Sequence, residues 1–231
     1  MDLIKVSDIL AQKIPELCLS YINFNGIRVQ KQISPTLNEY SSEIMNKIKT
    51  KYTLKKLKNN EMIRKYRDFY WHYLNIDPTK TRPSSEALIR RILANKPIPN
   101  INDIVDLNNW VSIDTLVPLG AYDLDILKTP LILRSSKEGE KFIPIGGSKK
   151  VMKGNEIVLA DDNCIIFHEY PHRDSEICKI RLKTKKILIV ACGVPGIEPK
   201  RLEDALNVFR RILIRTSKDQ IYNSKIKTTS N

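Results

Sequence analysis

The stretch KILIVACGVPGIEPKRLEDALNVFRRILIRT, residues 186–216, decides the fold. After Lys186 it opens on a short run of apolar, mostly branched residues, the pattern of a strand covered on both faces. Gly193-Val194-Pro195-Gly196 then breaks the run. From residue 198 the period changes: Leu202, Leu206, Phe209 and Leu213 form one stripe, as in an amphipathic helix over 198–216. A strand, a glycine corner and a helix in that order can cradle a ligand at the corner, with Gly193 against it. The corner has neither the Gly-x-x-x-x-Gly-Lys-[Ser/Thr] nor the Gly-x-Gly-x-x-Gly spacing. Cys192, next to it, is either a thiol activated by its surroundings or an inert buried one.

Upstream of this stretch the chain reads as short strands separated by turn residues. They fall at 121–123, 131–134, 141–144, 156–160, 164–168 and 178–181. Further upstream the period is helical. Residues 37–57 are Lys-rich, with Ile44, Met45 and Ile48 apolar. Residues 61–75 put Met62, Tyr66, Phe69, Tyr70 and Tyr73 on one face. Pro83-Ser84-Ser85 starts another helix that Pro97 closes, and 104–115 is a short one. At the N-terminus, 17–24 and 27–30 flank Asn25-Gly26 and predict a β-hairpin. Helices, then strands, then a helix make an α+β class. The expected organisation is an N-terminal hairpin and basic helix (1–60) on a core (61–216), with a flexible basic tail (217–231).

The chain has 231 residues, 39 basic against 26 acidic side chains, and a net charge of +13. Hydrophobic residues at 42% and charged residues at 28% exclude a disordered or collagen-like chain. The apolar run at 187–197 is broken by two Gly and a Pro and falls short of the roughly 20 residues of a membrane span. No basic segment leads into an apolar one at the start, so a cytoplasmic protein is expected. The four Cys are scattered without a Cys-x-x-Cys, so free thiols are expected and no metal or other cofactor. The charge is uneven. Residues 43–96 hold 14 basic and 5 acidic side chains, whereas 103–125 hold five Asp and no Lys or Arg. Basic segments flanking an acidic one point to a polyanion-binding face beside a differently tuned site.

Several polar, turn-rich stretches are candidate sites. Lys80 and Arg82 precede a helix start, with Arg90 and Arg91 on that helix, an arrangement suited to phosphate. Asn108-Asn109-Trp110 offers two amides and a ring to a polar ligand, or caps and core packing. Gly120, before Tyr122, permits close approach of a ligand or simply a tight turn. His168 to Glu176 gathers two His, Arg173, Asp174 and two Glu, a set suited to acid–base work or to a solvated loop of ion pairs. Pro171 argues against the helix that would put His168 and His172 on one metal.

Taken in order, YRDFY (66–70), RPSSEAL (82–88), VDLNN (105–109), GAYDLD (120–125), GE (139–140), GNEIVLADD (154–162) and PHRDS (171–175) resemble free-standing proteins built on the B3/4 module. In phenylalanyl-tRNA synthetase that module belongs to the β subunit and edits mischarged tRNA. The resemblance covers about residues 63–197. It implies a single β/β/α layered domain and a site that hydrolyses the ester of wrongly charged tRNA. Asn109 matches an Asn of the synthetase and Asn108 replaces a Thr. Gly120 stands where the synthetase has a site His, and the strand at 186–192 carries no counterpart of its site Glu. The resemblance therefore leaves His172, Asp174 and Glu176 as candidate catalytic groups. Asn108, Asn109, Gly120, Tyr122, Arg173 and Gly193 are expected to bind substrate, and Lys80, Arg82, Arg90 and Arg91 to bind RNA phosphates. The expected partner is aminoacylated tRNA. A non-catalytic RNA-binding module and a small-molecule-binding protein on the same fold are the alternatives.

Overall fold

A computed structural model describes residues 2–168, 170, 173–217 and 221–229. In chain order its elements are β1 (Ile4–Val6), α1 (Asp8–Lys13), β2 (Leu19–Asn25), α2 (Pro35–Lys51), α3 (Leu54–Leu57), α4 (Glu61–Tyr73), α5 (Ser84–Leu93) and α6 (Asp103–Thr115). There follow β3 (Leu119–Asp123), β4 (Leu131–Ser135), β5 (Glu138–Phe142), β6 (Lys150–Lys153), β7 (Ile157–Ala160), β8 (Ile165–His168), β9 (Arg173–Asp174) and β10 (Lys186–Cys192). The chain closes with α7 (Pro199–Thr216), β11 (Tyr222–Asn223) and β12 (Lys227–Thr228). The class is α+β, as expected.

One sheet has the order β1-β4-β7-β8-β9 and the other β11-β2-β10-β3, with β12 also on β2. β10 lies between β2 and β3, antiparallel to both, and Ile187 to Cys192 are buried. Its apolar run is thus the spine of the second sheet, as the continuous pattern requires. Helix α7 lays its Leu202, Leu206, Phe209 and Leu213 stripe toward β2 and β10, and α6 packs on β3. The Tyr122 ring on β3 meets the Phe167 ring on β8, centroids 6.2 Å apart, so the two sheets share a core.

Four expectations need correction. The Asn25-Gly26 hairpin does not form: residues 27–30 are not a strand, and β2 pairs instead with β10, β11 and β12. The helix expected over 37–57 is two helices, broken at Tyr52-Thr53. Residues 178–181 make only one bridge, Tyr122 to Lys179, because the Arg181 guanidinium gathers the carbonyls of Glu176, Ile177 and Lys179 into a loop. The end of the chain, expected as a frayed tail, carries β11 and β12. Thr229 is tied there to Leu19 through backbone and side chain.

The corner between β10 and α7 is pinned from beneath. The buried Tyr66 hydroxyl donates to the Cys192 carbonyl at 2.7 Å, and the Tyr170 hydroxyl donates to the Gly193 carbonyl at 2.6 Å. A Cβ on Gly193 would sit 2.8 Å from Leu202 and 3.0 Å from Cys18, so only glycine fits this packed corner.

Candidate active site

Helix α6 carries the first wall of the site. Asn102 caps it by accepting from the Val105 amide at 3.0 Å, and Asp106 accepts from the Ile101 amide at 2.9 Å. Leu116, at φ 63°, ends the helix in the left-handed region and turns the chain directly into β3. The turn brings β3 back along α6, and three hydrogen bonds lock the pair. Asn108 Nδ2 donates to the Leu119 carbonyl at 2.9 Å. The Leu119 amide donates to Ser112 Oγ at 3.1 Å, and Ser112 Oγ donates to the Asn108 carbonyl at 2.8 Å. The Leu119 carbonyl can only accept, so the Asn108 amide has one possible orientation. Its Oδ1 is buried and has no partner.

On β3, Gly120 and Tyr122 point to the same side. A Cβ built on Gly120 would lie 2.0 Å from Tyr122 Oη. The phenol therefore occupies the space that a side chain at position 120 would need. From there its hydroxyl donates to Asp174 Oδ1 on β9 at 2.7 Å. Burial pushes the Asp174 carboxyl up to about 6, against the opposing pull of this hydrogen bond. Burial likewise raises the Tyr122 hydroxyl far above its ordinary value.

Asn108, Asn109, Ser112, Gly120, Tyr122 and Asp174 line one cavity of about 260 Å³. Its other walls are largely apolar and include Leu88, Val105, Leu119, Phe167 and Ile180. Lys179 also reaches it, with its ammonium paired to Glu176. Cys192 lines the cavity, but burial holds its thiol well above the ordinary range. It is protonated near neutral pH and no nucleophile. Trp110 is packed in the core, so its ring is not offered to a ligand.

A second hollow of about 490 Å³ lies beside the cavity. Six cations line it: Lys80, Arg82, Arg90, Arg91, Lys96 and Arg173. The buried Glu86 holds Arg90 Nε at 2.8 Å and Arg67 at 3.1 Å, which fixes the Arg90 head group. Arg91 Nε donates to the Pro97 carbonyl at 2.8 Å. Arg82 Nε is buried without a hydrogen-bond partner. The cavity and the cleft share two walls. Helix α5 turns Ser84 and Leu88 to the cavity and Ala87, Arg90 and Arg91 to the cleft. Strand β9 sends Asp174 to the cavity and Arg173 to the cleft.

The structure therefore gathers five of the sequence candidates in the cavity: Asn108, Asn109, Gly120, Tyr122 and Asp174. It gathers Lys80, Arg82, Arg90, Arg91 and Arg173 in the cleft. Gly193 lies instead in the packed corner under α7, and Glu176 reaches the cavity only through Lys179. His172 lies outside the described residues. Ser112 and Lys96 were not singled out from sequence. Ser112 follows Asn108 by four residues on a helix, a spacing that could have marked it as a brace. Lys96 carried no signal beyond its charge.

Residues 65–219, about two thirds of the chain, match the family model of the B3/4 domain. The chain belongs to the B3/4 family. Among curated relatives, the phenylalanine–tRNA ligase beta subunit of Fusobacterium nucleatum is 37% identical over 87 residues, 38% of this chain and 11% of that protein. The corresponding subunit of Aquifex aeolicus is 35% identical over 77 residues, 33% of this chain and 10% of that protein. The matches thus span about a tenth of those relatives. An N-terminal fragment of the phenylalanyl-tRNA synthetase β subunit from Pyrococcus horikoshii shares the fold, with a TM-score of 0.50 at 14% identity. That match covers 96% of this B3/4 chain and 53% of the fragment. Among the described residues, no helix is long and apolar enough to cross a membrane.

Proposed function

We propose that this chain binds RNA and acts in trans as an editing factor, hydrolysing the ester of mischarged aminoacyl-tRNA in the cytoplasm. One observation carries the reading: a cavity holding Tyr122, Asp174 and Asn108 shares its walls with a cleft lined by six cations. A charged tRNA end has both parts, an amino-acid ester and the phosphates beside it. In this reading Lys80, Arg82, Arg90, Arg91 and Arg173 hold phosphates, and the cavity takes the aminoacyl group.

The chemistry is a balanced hydrolysis. Water gives a proton to the second oxygen of Asp174 as its own oxygen attacks the ester carbonyl carbon. The tetrahedral intermediate then breaks its bond to the ribose oxygen, which leaves with the proton from Asp174. A carboxylate poised near 6 is a competent base at neutral pH. Tyr122 steadies it from the volume that Gly120 vacates. An aminoacyl ester is an activated bond, so a held water and an oriented substrate supply much of the rate. Asn109 lines the same cavity and is assigned to substrate. Glu176 is assigned a positioning role through Lys179, and His172 enters on sequence alone.

The cleft needs no chemistry to bind RNA, and this favours a second reading, a non-catalytic RNA-binding module. Incubating the purified chain with a pool of mischarged tRNAs separates the two. Loss of the ester supports hydrolysis; retention of the tRNA with its ester intact supports binding alone.

A further inference from the structure

Asn108 is conspicuous in the cavity because its amide is half satisfied. The –NH2 is committed to the Leu119 carbonyl, and Oδ1 has no partner although the side chain is more than nine-tenths buried. A buried acceptor left open is destabilising unless a ligand fills it. The next residue along β3, Gly120, lies under the Tyr122 hydroxyl, which leads to Asp174. One wall of the cavity thus carries an open amide oxygen and a carboxylate on either side of Gly120. The cation that also reaches the cavity, Lys179, is paired with Glu176.

We propose that Asn108 Oδ1 accepts a hydrogen bond from the free α-ammonium of the bound amino acid, and so restricts the cavity to ligands whose amine is unblocked. This rests on the aminoacyl reading of the cavity and names the ligand class within it. An ammonium has three donors and a positive charge, which suits an amide oxygen with a carboxylate nearby. An N-acylated amine is neutral, keeps one N–H of the ammonium's three and adds a bulky acyl group to a cavity of about 260 Å³. The site therefore favours simple aminoacyl ends over peptidyl or formylated ones, while the base retains its second oxygen for water.

The test uses two non-hydrolysable probes, an amide-linked 3′-aminoacylamino-3′-deoxyadenosine and its N-acetyl form, titrated calorimetrically into the full chain. The free amine binds about tenfold or more tighter, as expected for a buried acceptor gaining its partner. Asn108→Leu brings the two probes to within about threefold, because the acceptor is gone. A loss of folding alone would weaken both probes alike. Equal binding of the two probes to the wild type overturns the inference and leaves the aminoacyl reading standing. Binding of neither probe overturns both.

Discussion

The cavity and the cleft share two elements, α5 and β9, and obey different physics. In the cavity Asn108 is held by Leu119, Ser112 by the turn into β3 and Asp174 by Tyr122. Apolar walls desolvate the carboxyl and raise it. In the cleft, charge accumulates in the open. Glu86 answers it at Arg90, and Glu86 is shared with Arg67. The first region is suited to discriminating shape and proton position. The second is suited to neutralising a polyanion, whatever its sequence. A two-residue strand, β9, serves both, because its side chains alternate across it.

The sharpest way to break this comparison is to remove charge from the cleft. Lys80→Ala with Lys96→Ala should weaken tRNA binding by about tenfold or more at physiological salt and lower the salt-dependence slope by about 2. The hydrolysis rate at saturating tRNA should be unchanged, as checked by salt-titrated binding beside single-turnover kinetics. If that rate falls with affinity, the two regions are not separable.

A smaller effect bears on stability. The Asp174 carboxyl titrates at about 6 in the folded chain, above the ordinary 3.8 of the unfolded one. Between those values the folded state binds more protons, so this group's contribution to stability falls as pH rises from about 4 to about 6. Asp174→Asn keeps an acceptor for Tyr122 and removes that loss. It should stabilise the protein at pH 7 by about 1–2 kcal/mol and flatten the pH dependence, measured by chemical denaturation at several pH values.

The smallest effect is a displacement of the pH profile. The Tyr122 hydroxyl holds the Asp174 carboxyl down. Tyr122→Phe should therefore raise the midpoint of the rising hydrolysis–pH curve above about 6. A midpoint that stays in place would detach Tyr122 from the base.

Where the signal is continuous, the fold was legible. The apolar run of β10 and the stripe of α7 read correctly because buried strands and amphipathic helices are local patterns. Asn25-Gly26 misled because a turn dipeptide reports only local geometry. The partner of β2 is β10, more than 160 residues away, and its register is set by packing under α7. β11 and β12, two residues each, have no pattern to read. In the site, Asn108, Asn109, Gly120 and Asp174 were reached from their polar, turn-rich stretches, and the ordered resemblance then gave them roles. The way Tyr122 fills the space at Gly120 was not, since it depends on a side-chain direction. Arg173 and Lys96 meet in the cleft only because α5 and β9 are neighbours in space.

The most direct test of the division of labour is a paired measurement on Asp174→Asn: the single-turnover rate of ester hydrolysis on mischarged tRNA and the affinity for the same tRNA. The expected result is a rate reduced by about 100-fold or more, the loss of a general base, with affinity unchanged within about twofold. A variant as fast as the wild type, or one whose affinity collapses with its rate, would contradict the assignment of chemistry to the cavity and RNA binding to the cleft.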